Sequence, residues 1–302
     1  MPVTAHVGAA SELAASRHGA FSRMQAAQSG LTPKVIERLI RDRAVVEPVP
    51  GVLVVTGSPN TWRQRLYVAT LSSRGVGVAG FRSAAALHGM DGYSEGPLEV
   101  IMPSPRRPRM SDLVIHVGPL HDDDILEVDG IRTTSIARTL GDIGSVDSRF
   151  KVKLAFEWAW RNGHSLTWFQ QTADRLHRPG QHGTKVLQEL LVEARLHERP
   201  TESSLEVLLE CILEDLDGLE RQYRVLDHTG KFVGRVDFAI PHRKVALEAH
   251  SRKHHFGPDA ERRDAARDAR LVAAGWTTRY ITKREMDDPS KLRSSVRQLL
   301  LA

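Results

Sequence analysis

The chain has 302 residues, 41% of them hydrophobic and 26% charged, which is ordinary for a globular protein and more than one core of ~100–200 residues needs. No run approaches the ~18 apolar residues of a membrane span, and MPVTAHVGAASELAASRHG at the start lacks a charged region followed by an apolar one, so a cytoplasmic protein with no membrane partner is expected. The net charge is +5, and the tail from Ser251 to Ala302 holds twelve Lys and Arg against seven Asp and Glu, an asymmetry that suits a polyanion, nucleic acid first.

Residues 1–60 read as helix, helix, turn, helix and hairpin. A helix begins over Ser11–His18, a second over Ser22–Ser29 is broken by Gly30-Leu31, and Thr32 caps a third with Pro33 as its first residue. From Ala44 to Val55 the pattern is β, with Pro50-Gly51 as the turn. That is the layout of a winged helix-turn-helix. Lys34, Arg38 and Arg41 recur at spacings of four and three on the third helix, so one face presents cations to a DNA major groove. The same module also serves for protein docking.

Residues 61–148 form a mixed α/β middle region, with helices over Trp62–Leu71 and Ser83–His88, strands over Leu98–Met102 and Leu113–Val117, and a further strand and helix within Gly130–Ile143. Residues 149–198 have helical apolar spacing and read as a connector. Residues 199–302 read as α-β-β-β-α-β-α. Leu205, Leu208, Leu209, Ile212 and Leu213 line the buried stripe of the first helix, Glu202–Asp215. The single cysteine, Cys211, excludes an internal disulfide and lies on the apolar side of that helix. Strands follow at Gln222–Leu226, Arg235–Ile240 and Val245–Ala249, then a helix at Pro258–Ala274 stopped by Gly275, a strand at Thr277–Thr282 and a helix at Pro289–Leu301. The fold class expected is therefore a multidomain α+β and α/β chain.

The chemistry concentrates in RVDFAIPHRKVALEAH, residues 235–250. A turn centred between His242 and Arg243 sets Asp237 opposite Glu248 on antiparallel strands, where like charges destabilise a sheet. Val236, Phe238, Ile240, Val245, Leu247 and Ala249 fill the other face with apolar side chains. A divalent cation removes the conflict, and two carboxylates with open water positions suit Mg²⁺ or Mn²⁺. A solvated sheet face, or neutralisation by Lys244, Arg235 or Arg252, would relieve it as well. His250, His254 and His255 with His242 raise a zinc reading, against which the strand and loop pattern argues. Arg263, Arg267 and Arg270 recur at spacings of four and three, forming a basic helix face that either holds phosphates or is simply solvated.

From Thr201 to about Glu285 the chain resembles the very-short-patch-repair-like endonuclease domains found at the C-terminus of many actinobacterial proteins, a branch of the PD-(D/E)XK superfamily. The matching pieces are SSLE (Ser203–Glu206), RVDFAIP (Arg235–Pro241), ALE (Ala246–Glu248), His254-His255, RDAR (Arg267–Arg270) and AAGW (Ala273–Trp276). The resemblance implies a restriction-endonuclease-like α/β fold in which Glu206 reaches the metal site from its helix, Asp237 and Glu248 bind the metal, and His255 carries a proton or contacts phosphate. The superfamily usually has lysine two residues after the glutamate, and this branch an aspartate followed by glycine; this chain has His250-Ser251. His250 shares the strand face of Glu248, and a neutral imidazole can ligate Mn²⁺ or accept a proton.

Leu13 to about Val55, and more loosely the chain through Ser148, resembles the amino-terminal region of AbiEi-type antitoxins. RHGAFSRMQAAQSGLTPKVIERLIRDRAVVEPVPGVLVV carries the likeness, with FRSAAALHGM (Phe81–Met90) and TTSIARTLGDI (Thr133–Ile143) downstream. The expected function is a DNA-binding protein whose C-terminal domain hydrolyses DNA phosphodiester bonds with Mg²⁺ or Mn²⁺. The alternative is a non-enzymatic, antitoxin-like transcriptional regulator with a degenerate nuclease fold, for which a toxin or other protein joins DNA as a partner.

Overall fold

The computed structural model describes residues 3–72, 76–103, 110, 112–177, 183–197, 199–250 and 258–301. Across them the chain is a mixed α/β protein of thirteen α-helices and three sheets, and no helix is long and apolar enough to cross a membrane. It divides into two compact units, one of Met1–Ala159 with Gly163–Leu196, the other of Trp160–Asn162 with His197–Ala302. The regions read as 1–60, 61–148 and, for most of its length, 149–198 lie together in the first unit.

The first unit opens with a helix over Val3–Ala15, earlier than the sequence suggested. His18 (φ 55°) and Gly19 (φ 77°) then reverse the chain into a short strand, Ala20–Ser22, which pairs with Val52–Val55 and makes the hairpin a three-stranded sheet. Three residues are too few to display a period-two pattern, so this strand leaves no sequence signal. Ser22 ends the strand and caps the helix Arg23–Gln28: its hydroxyl accepts from the Gln25 N–H, and the Gln25 carboxamide accepts from the Ser22 N–H at 2.7 Å. Thr32 caps Pro33–Arg41, whose Ile36 and Leu39 pack with Phe21, Val45 and Leu53. The hairpin strands are Val45–Val49 and Val52–Val55.

The rest of the first unit is built on a five-stranded sheet in the order Leu113–Val117, Leu98–Met102, Val78–Ala79, Ile131–Thr134, Ile125–Val128. Val78–Ala79 and Ile125–Val128 are additions to the expected strands. The helices Leu166–Leu176 and Gly183–Ala194 pack on Ile136–Ile143, so residues read as a connector belong to the body of this unit.

The second unit carries a four-stranded sheet in the order Thr277–Thr282, Val245–His250, Phe232–Ile240, Glu220–Leu226. The first pair is parallel and the others antiparallel. One face, with Phe238, Ile240, Val245, Leu247 and Ile281, is covered by Leu209, Ile212 and Leu213 of the helix Ser204–Leu213 and by Leu292 and Val296 of the helix Pro289–Leu301. On the other, Ala239 and Ala246 cluster with Val225, Val236, Trp276 and Leu271, the last from the helix Pro258–Ala273. Full burial of a side chain such as Leu247 or Phe238 contributes about 1.5–3 kcal/mol. The sheet is thus covered on both faces, which removes the solvated-face alternative for the acidic pair, and Val236 joins the second cluster rather than the first.

Candidate functional site

Phe232–Ile240 and Val245–His250 are joined by a tight loop, Pro241–Lys244, in which Lys244 (φ 51°) donates its N–H to the Pro241 carbonyl at 3.0 Å. So short a loop fixes the register. Phe238 faces Leu247 and Ala239 faces Ala246, which sets Asp237 opposite Glu248 on the side carrying Ala239 and Ala246. The two carboxyl groups share a hydrogen bond. Asp237 Oδ2 also accepts from the Ala249 N–H at 2.9 Å.

Burial raises both acids above the ordinary carboxylate range, because a desolvated carboxylate is disfavoured. The negative charge of Glu248 pushes Asp237 further, whereas the Arg267 guanidinium holds Glu248 back. Of the two, Glu248 beside Arg267 is thus the better supported as a carboxylate. Glu206, only 4% exposed, is the third acid of the neighbourhood. It accepts from the Glu202 N–H at 2.9 Å and Gln222 Nε2 at 2.8 Å, and from the Ser203 hydroxyl at 3.0 Å. Burial first, then the charge of Asp237, pushes its carboxyl up to about 7.

Arg267 reaches in from the helix Pro258–Ala273 and donates to Glu248 Oε1 and, at 2.5 Å, to the Arg235 carbonyl. The sequence placed Arg267 on an outward basic face with Arg263 and Arg270; the structure turns it inward, and only Arg270 is exposed of the two whose side chains are described. For Arg263 only the helical backbone lies within the described residues. The counter-charges foreseen for the acids are engaged elsewhere: Arg235 pairs with Glu202, and Lys244 Nζ donates to the Ala274 carbonyl at 3.4 Å. Arg252, Ser251, His254 and His255 lie outside the described residues.

His250 sits two residues beyond Glu248, half-buried, with its ring edge-on to Tyr280 at 5.5 Å between centroids. Tyr280 stands beside Glu248 on the parallel strand, and its phenol donates to Asp268 Oδ1 at 2.6 Å. His242 lies in the loop at the opposite end of the strand Val245–His250. Six residues at ~3.3 Å each keep these two imidazoles too far apart for one zinc ion, which needs ligands within ~2.1 Å. Tyr280 and Asp268 were not legible as site residues, nor Arg267 as the partner of Glu248, because their approach depends on how a helix and a parallel strand settle on the hairpin.

In the first unit Lys34, Arg38 and Arg41 are exposed on the helix Pro33–Arg41, opposite the buried Ile36 and Leu39. Arg38 pairs with Asp42 at 3.6 Å. Arg23 is tied to Glu47 and Glu37 at 2.6 Å and 2.9 Å.

Among the described residues no group of three or more His, Cys, Asp or Glu side chains is gathered to hold a metal ion. Asp237 and Glu248 form a pair, and Glu206 senses Asp237 by charge. Two carboxylates completed by water and phosphate are what Mg²⁺ takes, since it dehydrates reluctantly. The mutual repulsion of two acids facing each other, one buried and one half-buried, is what such an ion relieves, so the donor chemistry fits a hard divalent cation. No family model matches the chain. Over 218 residues, 70% of this chain and 77% of theirs, it is 29% identical to two proteins of Mycobacterium tuberculosis, both described as uncharacterized: MT2308 of strain CDC 1551 / Oshkosh and Rv2248 of strain ATCC 25618 / H37Rv.

Proposed function

We propose that the second unit is a very-short-patch-repair-like nuclease domain of the PD-(D/E)XK type, hydrolysing DNA phosphodiester bonds with Mg²⁺ or Mn²⁺, and that residues 1–60 are a winged helix-turn-helix that brings it to DNA. The observation that carries the reading is the opposition of half-buried Asp237 and buried Glu248, hydrogen-bonded to each other, on an otherwise apolar strand pair. A sheet holds such a pair at a cost that a cation offsets. When bound, the ion supplies an acidified water and charge for the leaving oxygen. Asp237 and Glu248 would hold it, with Glu206 adding negative charge from its helix. His250 would take up a proton on the same strand face, and Arg270 is exposed for phosphate contact. Lys34, Arg38 and Arg41 would anchor the first unit to the duplex backbone. A cytoplasmic location accords with this role.

The test is incubation of the full chain with supercoiled, linear and mismatched DNA in Mg²⁺, Mn²⁺ or chelator. Cleavage that needs metal, is stronger with Mn²⁺ and drops at least a hundredfold in Asp237→Asn is the expected result; cleavage that persists in Asp237→Asn refutes it. His250→Ala should cut more slowly, and equal rates make His250 a bystander.

A second reading is favoured by Arg267, whose guanidinium already supplies Glu248 with a counter-charge from within the chain. With His250-Ser251 in place of the branch's usual residues, this points to a degenerate nuclease fold retained in a DNA-binding, antitoxin-like regulator with a toxin or other protein as partner. DNA binding without cleavage by the parent, and cleavage gained only in His250→Asp, would establish it.

A further inference from the structure

Gln222 carries no motif in the sequence, yet three observations converge on it. The first is its place. Val236 faces Tyr223 and Phe238 faces Arg221, so Gln222 stands opposite Asp237, and one row crosses the sheet through Gln222, Asp237, Glu248 and Tyr280. The second is its backbone. Its φ of 52° lies in the left-handed region, which a side chain other than glycine adopts inside a strand only where its surroundings hold it, and such strain clusters at functional sites.

The third is its carboxamide. Nε2 donates to Glu206 Oε2 at 2.8 Å, the orientation that an ionised Glu206 requires, since the reverse would turn two acceptors on each other. Oε1 is then buried with no hydrogen-bond partner among the described residues. A buried acceptor without a donor is rare in a folded protein, and strain, a functional role or a bound water or ion accounts for it. An amide that served only to brace Glu206 would not need its oxygen buried and unmet.

We propose that Gln222 is a positioning residue of the cation site: its Nε2 braces Glu206, and its Oε1 accepts a hydrogen bond from a water in the hydration shell of a divalent cation held by Asp237 and Glu248. The inference rests on the cation reading above. Groups that hydrogen-bond a metal's immediate partners typically change its affinity by about ten- to a hundredfold.

The experiment titrates the full chain with Mn²⁺ and reads free Mn²⁺ by electron paramagnetic resonance, beside metal-free melting curves. Gln222→Leu is expected to weaken Mn²⁺ binding by about tenfold. Gln222→Glu is expected to lower the metal-free melting temperature, because a carboxylate now faces Glu206, yet to tighten Mn²⁺ binding through the added charge. A brace alone predicts weaker binding in both. Unchanged or weakened affinity in Gln222→Glu therefore overturns the proposal, and this variant decides the matter if the leucine variant fails to fold. Absence of Mn²⁺ binding by the parent defeats the cation reading and this inference together. Binding that Asp237→Asn abolishes and neither Gln222 variant alters defeats this inference alone.

Discussion

Removing the Glu206 charge while keeping its shape tests whether the acidic cluster is as desolvated as the structure has it. Glu206 is 4% exposed, and burial with the charge of Asp237 takes its carboxyl from 4.5 to about 7. The folded chain therefore holds this proton more tightly than the unfolded chain does. The stability it contributes is complete below pH ~4.5 and is lost as pH rises through about 7. At about 1.4 kcal/mol per pH unit the loss in the second unit is about 3 kcal/mol. Asp237 acts in the same direction, so the parent should lose more than this between pH 5 and 8 in chelator. In Glu206→Gln the stability curve should be flatter than the parent's by about 3 kcal/mol. Glutamine sets an amide against one of the donors now bound to Glu206, costing about 1–3 kcal/mol at every pH, so the flattening rather than the absolute level is the signal. Mn²⁺ at a hundred times its Kd at pH 8 should restore about 2.7 kcal/mol to the parent there, and the same concentration less at pH 5.5, where protons compete for the same carboxylates. Urea unfolding of the full chain, followed by hydrogen exchange in peptides spanning 204–249, isolates the second unit, and subtracting variant from parent cancels groups such as Glu285, whose carboxyl shifts downward. A parent whose stability is level or rises from pH 5 to 8, or a variant as steep as the parent, refutes the reasoning.

Arg267→Gln leaves Glu248 buried without its guanidinium and should destabilise the metal-free second unit by about 3–5 kcal/mol at pH 8, by the same exchange measurement. Its stabilisation by Mn²⁺ should exceed the parent's if guanidinium and cation compete for Glu248, and an equal response excludes that competition. Replacing Lys34, Arg38 and Arg41 together with alanine should weaken duplex binding by the full chain and reduce the slope of log affinity against log salt by about 2–3. An unchanged slope means that this face does not meet phosphate.

The features legible in the sequence are those set by neighbours along the chain. Ser22 with Gln25, and Thr32 with Pro33, mark helix starts because a cap is satisfied within one turn. Asp237 and Glu248 are found opposite one another from the sequence because the loop between their strands is only four residues long and leaves little freedom of register. The strands Ala20–Ser22 and Val78–Ala79 escape notice, being too short to show alternation and held in place by pairing with distant segments. Alternation of Arg235, Asp237 and Ala239 reads as a half-solvated face; only the packing of Leu271 and Trp276 decides that it is covered. Helical spacing groups Arg267 with Arg263 and Arg270, but which side of that helix meets the sheet is a tertiary matter, and it turns Arg267 onto Glu248. Gln222 comes opposite Asp237 because a bulge between Phe232 and Gly234 shifts the pairing by one residue, and one residue of register is the difference between facing a site and facing away from it.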